Sequence, residues 1–175
     1  MLIRGRTWVF GRHVNTDLIF PKIWFRPTYE PGEMASHLMV GLDEDFPKKV
    51  ERGDIIVGGA NFGCGSSREE AAAAMKEAGI GAVVAPSFGR IYTRNCINVG
   101  LPIVVSPGID EHVTQGDELQ IDLARGLIRN VRTGYEARLP PMAPESLRLI
   151  QDGGNANYTR RVLEERRRAA MRAQS

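Results

Sequence analysis

Asn61-Phe62-Gly63-Cys64-Gly65-Ser66-Ser67-Arg68-Glu69-Glu70 lies between a β-branched run, Asp54-Ile55-Ile56-Val57-Gly58-Gly59-Ala60, and an alanine-rich run from Ala71 to Ala78. A short apolar run suits a buried strand and the alanines suit a helix, so the order is strand, glycine turn, helix. Gly63 and Gly65 admit backbone conformations closed to other residues. They let amide N–H groups converge with the unpaired donors of the helix's first turn on a carboxylate or phosphate. The same residues also read as a cap, because Ser66 with Glu69, or Ser67 with Glu70, fits the S-x-x-E capping box. An arginine in a first turn opposes the helix dipole by roughly a few tenths of a kcal/mol or more, which implies an anionic partner for Arg68. Local physics leaves both cap and anion site open.

Other chemistries for such a loop fail on particulars. Gly63-x-Gly65-x-x-Arg68 lacks the third glycine of a dinucleotide fingerprint, and the next strand pattern, Gly81 to Ala85, runs into Pro86-Ser87 with no acid for a ribose. No Lys-Ser/Thr follows the glycines as a P-loop needs, and there is no Gly-x-Ser-x-Gly elbow. Cys64 and Cys96 are the only cysteines, too few for a disulfide scaffold or an all-cysteine metal site within the chain. His13, His37 and His112 are scattered and none has a histidine at i+4. A formal net charge of +2 creates no global field for nucleic acid. The arginines at 160, 161 and 166 to 168 alternate with Glu164 and Glu165, the pattern of a solvated helix face. No export signal or membrane-spanning run is visible, so a cytoplasmic protein without membrane or nucleic-acid partners is expected.

Along its 175 residues the chain reads as one domain. A strand near Arg6 to Gly11 is followed by a polar loop from Arg12 to Pro31 and a short helix from about Gly32 to Val40. The strand at Asp54 to Ala60 precedes the Ser66 helix, which Gly79 closes. Gly81 to Ala85 is the next strand, Phe88 to Asn98 a helix with Ser87 as its cap and Gly100 as its stop, and Leu101 to Val105 a strand. Glu118 to Leu123 and Leu127 to Val131 form a hairpin, with Tyr135 to Leu139 as a third strand. Helices over Ala143 to Gln151 and from about 155 to Ala173 flank Gly153-Gly154. Arg90 and Arg94 stand one turn apart and so share a face, open to solvent or to an anion.

Taken together, Asn15-Thr16-Asp17 with Pro21, the run from Asp54 through Ser66-Ser67-Arg68-Glu69, Pro86-Ser87-Phe88-Gly89-Arg90-Ile91 through Leu101, and Gly153-Gly154 resemble the small subunit of aconitase-type hydro-lyases. The resemblance is greatest to the isopropylmalate isomerase and homoaconitase small subunits, and it covers most of the chain. It implies an α/β swivelling domain of three layers, β/β/α, closing over a large subunit that carries a [4Fe–4S] cluster and contributing half of an active site for a 2-hydroxy di- or tricarboxylate. By motif, Ser66 would be the base, Asp17 would support proton handling, Ser67 and Arg68 would bind substrate, and Arg26 would face the variable substrate arm. No metal ligand is assigned to this chain.

The family pattern is not kept everywhere. Glu70 stands where many isopropylmalate-specific members have histidine, and Trp24-Phe25-Arg26-Pro27 replaces a more apolar segment. An arginine there suits a terminal carboxylate, as in homoaconitate, whereas Trp24 and Phe25 could line an apolar pocket with Arg26 turned away. Isopropylmalate is the first expectation, with homoaconitate or a dimethylmalate-type substrate next. Two further readings make Cys64 a nucleophile or the loop a non-catalytic anion-binding module.

Overall fold

The computed structural model describes residues 1–66 and 68–173. Strand β1 (Leu2–Val9) is followed by three one-turn helices, α1 (Thr16–Ile19), α2 (Glu33–Ser36) and α3 (Phe46–Lys49), with a 3₁₀ turn at Lys22–Trp24 between the first two. Strand and helix then alternate through β2 (Ile55–Val57), α4 (Glu69–Glu77), β3 (Ala82–Ala85), α5 (Arg90–Val99) and β4 (Ile103–Val105). After α6 (Ile109–His112) come β5 (Glu118–Asp122), β6 (Leu127–Asn130) and β7 (Glu136–Arg138), and the chain closes with α7 (Pro144–Gln151) and α8 (Asn155–Ala173).

The sheet has seven strands in the order β4-β3-β2-β1-β5-β6-β7. β1 divides it. Its first half, Leu2 to Arg6, pairs antiparallel with β5, and its second half, Thr7 to Val9, pairs parallel with β2. The sheet therefore curls at β1, and the antiparallel hairpin lies back across the parallel strands. Side-chain alternation records the consequence. Ile56, Val83 and Ala85 point into one core with Ala71, Ala72, Met75, Tyr92 and Cys96 of the helices. Ile55, Val57, Ala82 and Val84 point into a second core with Leu119, Ile121 and Ile128 of the antiparallel strands. The parallel strands are buried on both faces, which is why they read as unbroken β-branched runs, while β5 is buried at alternate residues only. This is the expected β/β/α layering.

Most predicted elements are present with shifted ends. β1 begins four residues earlier than the sequence pattern suggested, because its exposed first half alternates and gains its partners from β5 far along the chain. α4 begins at Glu69 and its N-cap is Arg68, in extended conformation and without a side-chain capping bond. The Ser66–Glu69 capping box is therefore not formed, and the one that would use Ser67 lies outside the described residues. Ser87 does not cap α5, whose N-cap is Gly89; its hydroxyl instead accepts from the Asn61 N–H at 2.9 Å. Gly100 ends α5 in the left-handed conformation, as expected. The arginines at 166 to 168 lie exposed on α8, and Arg90 and Arg94 are exposed on α5.

Candidate active site

Three loops leave the carboxyl ends of β1, β2 and β3 and meet, the position where open α/β sheets bind ligands. Bridges join Asn15 to Cys64 and Phe62 to Phe88. The Gly63 N–H donates to the Val14 carbonyl at 2.7 Å, the Thr16 N–H to the Cys64 carbonyl at 2.9 Å, and the Gly89 N–H to the Phe62 carbonyl at 2.8 Å. The packing at Gly63 explains the glycine: φ is +70°, and a Cβ would stand 2.3 Å from the Tyr92 ring. Gly65, at φ +106°, turns the chain over Thr16. The motif is thus held from behind by a buried aromatic and from one side by the Asn15 loop. Asn15 is itself fixed as the cap of α1, its side chain accepting from the Leu18 N–H at 2.9 Å.

This stitching brings most of the sequence-selected residues together. Ser66 is exposed at the tip of the loop. Its carbonyl accepts from Thr16 Oγ1 at 3.2 Å and from the Arg68 N–H at 2.9 Å, while no described residue hydrogen-bonds its hydroxyl. Arg68, with 13% of its side chain exposed, forms an ion pair through Nη1 with Asp17 on the first turn of α1. The ion pair fixes the largely buried guanidinium in place beside the start of α4. The first-turn amides of α4 lie alongside, without a cap from Arg68. Ser67 lies outside the described residues.

An open cleft of ≈ 440 Å³ fronts this group, lined by Lys22, Phe25, Ser66, Arg68, Glu69 and Glu70. Arg26 does not line it. Its Nη1 lies 3.2 Å from Glu33 Oε1, and its N–H donates to Tyr29 Oη at 3.0 Å. Trp24 is also engaged elsewhere, stacked on His37 with ring centroids 3.8 Å apart. Lys22 was missed from sequence. The available signal was a three-residue turn after Pro21, which sets Lys22 and Phe25 one 3₁₀ turn apart, with the Phe25 N–H donating to the Lys22 carbonyl at 3.0 Å. A smaller, apolar cavity of ≈ 240 Å³, lined by Val104, Ile121 and Leu139 among others, lies between β4 and the β5–β6 hairpin and holds none of these residues.

Of the two thiols, Cys96 is buried and pushed up to about 12 by desolvation, and Cys64 is half-buried with its carbonyl committed to Thr16. Among the described residues, no three His, Cys, Asp or Glu side chains gather as metal ligands, and no helix is long and apolar enough to cross a membrane.

Residues 32–108 match the family model of the aconitase C-terminal domain. The chain is 47% identical over 160 residues to 3-isopropylmalate dehydratase small subunit 1 of Methanopyrus kandleri, covering 91% of this chain and 94% of that one. It is 46% identical over 163 residues to the methanogen homoaconitase small subunit of Methanothermobacter thermautotrophicus, covering 93% and 94%. A crystal structure of 3-isopropylmalate dehydratase from Methanocaldococcus jannaschii superposes with a TM-score of 0.86 at 42% identity, over 95% of this chain and 99% of that one.

Proposed function

The chain belongs to the 3-isopropylmalate dehydratase small-subunit family of aconitase-type hydro-lyases, and from that membership we propose how its own residues serve the reaction. The protein is the small subunit of a hydro-lyase that interconverts 2- and 3-isopropylmalate by dehydration and rehydration, a leucine-biosynthesis step, and its family naming implies a large-subunit partner. The carrying observation is that exposed Ser66 and the largely buried, Asp17-paired Arg68 line one cleft at the N-terminus of α4.

A serine hydroxyl is a weak acid, so Ser66 acts as a base only where its oxyanion is stabilised. The α4 N-terminus and the Arg68 guanidinium supply that field, and it strengthens when a docked partner excludes water. Arg68 also holds a substrate carboxylate, with Asp17 fixing its orientation and Ser67 adding a donor. Ser66 then takes the carbon-bound proton next to that carboxylate and returns it in rehydration. Arg26 reaches the substrate arm only by leaving Glu33.

The described residues do not fit an iron–sulfur cluster of this chain's own. We place the [4Fe–4S] cluster on the large subunit, where it supplies Lewis acidity to the substrate hydroxyl and carboxylate. The whole chain swivels as one domain when the halves close. Two free thiols suit the reducing cytoplasm. A homoaconitase small subunit is the second reading, favoured by Lys22 in the cleft and by the relative of that name.

Mixing the purified chain with an anaerobically reconstituted large subunit tests the proposal. Isopropylmalate turnover is expected only in the mixture. Phosphate or nucleotide binding by the isolated chain, with no turnover after mixing, would instead support the non-catalytic module.

A further inference from the structure

Helix α5 is covered at one end and bare at the other. A Cβ on Gly100, its C-terminal stop, would stand 2.5 Å from the Gly154 nitrogen, where α7 turns into α8. Tyr92 and Cys96 bury the inner side of the helix. On the outer side of its first turns Arg90, Ile91 and Arg94 are exposed, Ile91 to 43%. Arg90 and Ile91 are each one-turn neighbours of Arg94, so the three form one patch. The two arginines repel one another in the free chain, and neither has a carboxylate within ion-pair reach among the described residues. Arg4 and Arg129 on the antiparallel layer are exposed too, but each faces a carboxylate, Glu118 and Glu136.

The bare end of α5 is also the end beside the site. Gly89, the residue before Arg90, donates its N–H to the Phe62 carbonyl at 2.8 Å, and a Cβ on it would stand 2.4 Å from the Gly63 carbonyl oxygen and 3.2 Å from Cys64 Cα. Arg90 therefore follows directly on a contact with the loop that ends in Ser66. One exposed isoleucine means little by itself, and an exposed arginine pair suits water as readily as an anion. Their position decides. A large subunit that completes the site must close over Ser66, exposed at the tip of that loop, and a body that reaches Ser66 comes over the adjoining first turn of α5. Arginines are enriched at protein contacts, where they pair with carboxylates while apolar neighbours exclude water.

We infer that the first two turns of α5 are a docking face for the large subunit, which presents carboxylates to Arg90 and Arg94 and an apolar contact to Ile91. The charge pair draws the two halves together, and Ile91 supplies the dry centre of the contact. Arg90 and Arg94 touch the partner and not the reacting atoms, so the face governs assembly and leaves the chemistry to Ser66 and Arg68. The inference rests on the hydro-lyase reading of the site and names the part of this chain that its partner holds.

The test uses the full chain and an anaerobically reconstituted large subunit. The Kd of assembly is read by fluorescence anisotropy of the labelled chain, and isopropylmalate turnover is read separately at saturating large subunit. Wild-type assembly is expected to weaken as salt rises from about 50 to about 300 mM. Arg90→Gln combined with Arg94→Gln is expected to keep the wild-type Tm, raise Kd by about 10–100-fold at low salt and lose most of the salt dependence, with kcat at saturation within about threefold. Ile91→Ala is expected to raise Kd by about 3–30-fold at either salt. Arg4→Gln, on the antiparallel layer, is expected to leave assembly unchanged. An unchanged Kd in the double variant, an equal loss in Arg4→Gln, or a fall in kcat at saturation with Kd unchanged would each overturn the docking face and leave the hydro-lyase reading standing; the last would give the patch to the substrate. A wild-type pair that assembles without turnover would remove the hydro-lyase reading, while the Kd comparison still decides the face. A wild type that does not assemble would remove both.

Discussion

Around Asp117 each polar group has found an answer, whereas around Ser66 several are left open. Asp117 Oδ2 accepts from the Thr114 N–H at 2.9 Å, from Asn130 Nδ2 at 2.7 Å and from Arg132 Nη2 at 3.0 Å, and Oδ1 pairs with Arg132 Nε. Asn130 Oδ1 in turn accepts the Arg132 N–H at 3.0 Å, and its amide donates to the His112 carbonyl at 3.0 Å. Arg132 holds the buried carboxylate well below the usual carboxylate range. The knot closes the hairpin end of the antiparallel layer and is complete without a ligand. At the other site Ser66, whose hydroxyl no described residue engages, and Arg68, at a helix start to which it gives no side-chain cap, border an open cleft. Satisfied polar clusters stabilise; rigidly framed clusters with spare capacity are where substrate and partner are to be sought.

Substitution at Ser66 should break this contrast most sharply. Ser66→Ala is expected to leave the melting temperature and subunit assembly unchanged and to lower heteromer turnover by ~10²–10³-fold. Near-normal turnover would deprive Ser66 of its role. Arg68→Lys should lower kcat/KM by about 10–100-fold, since a lysine cannot present the paired donors that a carboxylate and Asp17 both use. If kcat/KM stays at the wild-type level, Arg68 does not hold the substrate.

The Asp117 knot should answer in stability instead. Asp117→Asn is expected to destabilise the chain by about 1–3 kcal/mol without changing the turnover of assembled enzyme. The sign with pH follows from the lowered folded-state value. The carboxylate's contribution is present above the ordinary aspartate pKa of about 4 and is lost as pH falls through the lower folded value. Chemical denaturation from pH 7 down to pH 3 should therefore show the variant's deficit shrinking; a deficit constant with pH would assign it to packing. The smallest effect concerns the thiols. With Cys96 buried and pushed up to about 12, iodoacetamide at neutral pH should label Cys64 and spare Cys96 until unfolding. Equal labelling of the native chain, read by peptide mass, would contradict the closed core at α5.

Much of this architecture is legible in the chain because glycines and β-branched runs punctuate it: Gly79 and Gly100 mark helix ends, and the double-sided burial of Ile55 to Val57 reads as a continuous apolar run. Short helices such as Phe46–Lys49 and Ile109–His112 are not legible, since four residues carry no 3.6-residue period. At the site, Ser66, Arg68 and Asp17 come together as the motif suggested, because local glycines and one neighbouring loop suffice to do it. The pairing of Arg26 with Glu33, outside the cleft, is not legible. It depends on Glu33, seven residues beyond Arg26, and on Glu77, which holds Ala35 and Gly32 from 42 and 45 residues along the chain; neither leaves a spacing signal.

The most direct test of the Ser66 oxygen is a crystal structure of the assembled large and small subunits with a bound substrate analogue. Ser66 Oγ should lie ~3–3.5 Å from the analogue carbon that bears the abstracted hydrogen, with Arg68 on the adjoining carboxylate. An Oγ turned back against Thr16, out of reach of the analogue in the closed pair, would contradict the assignment.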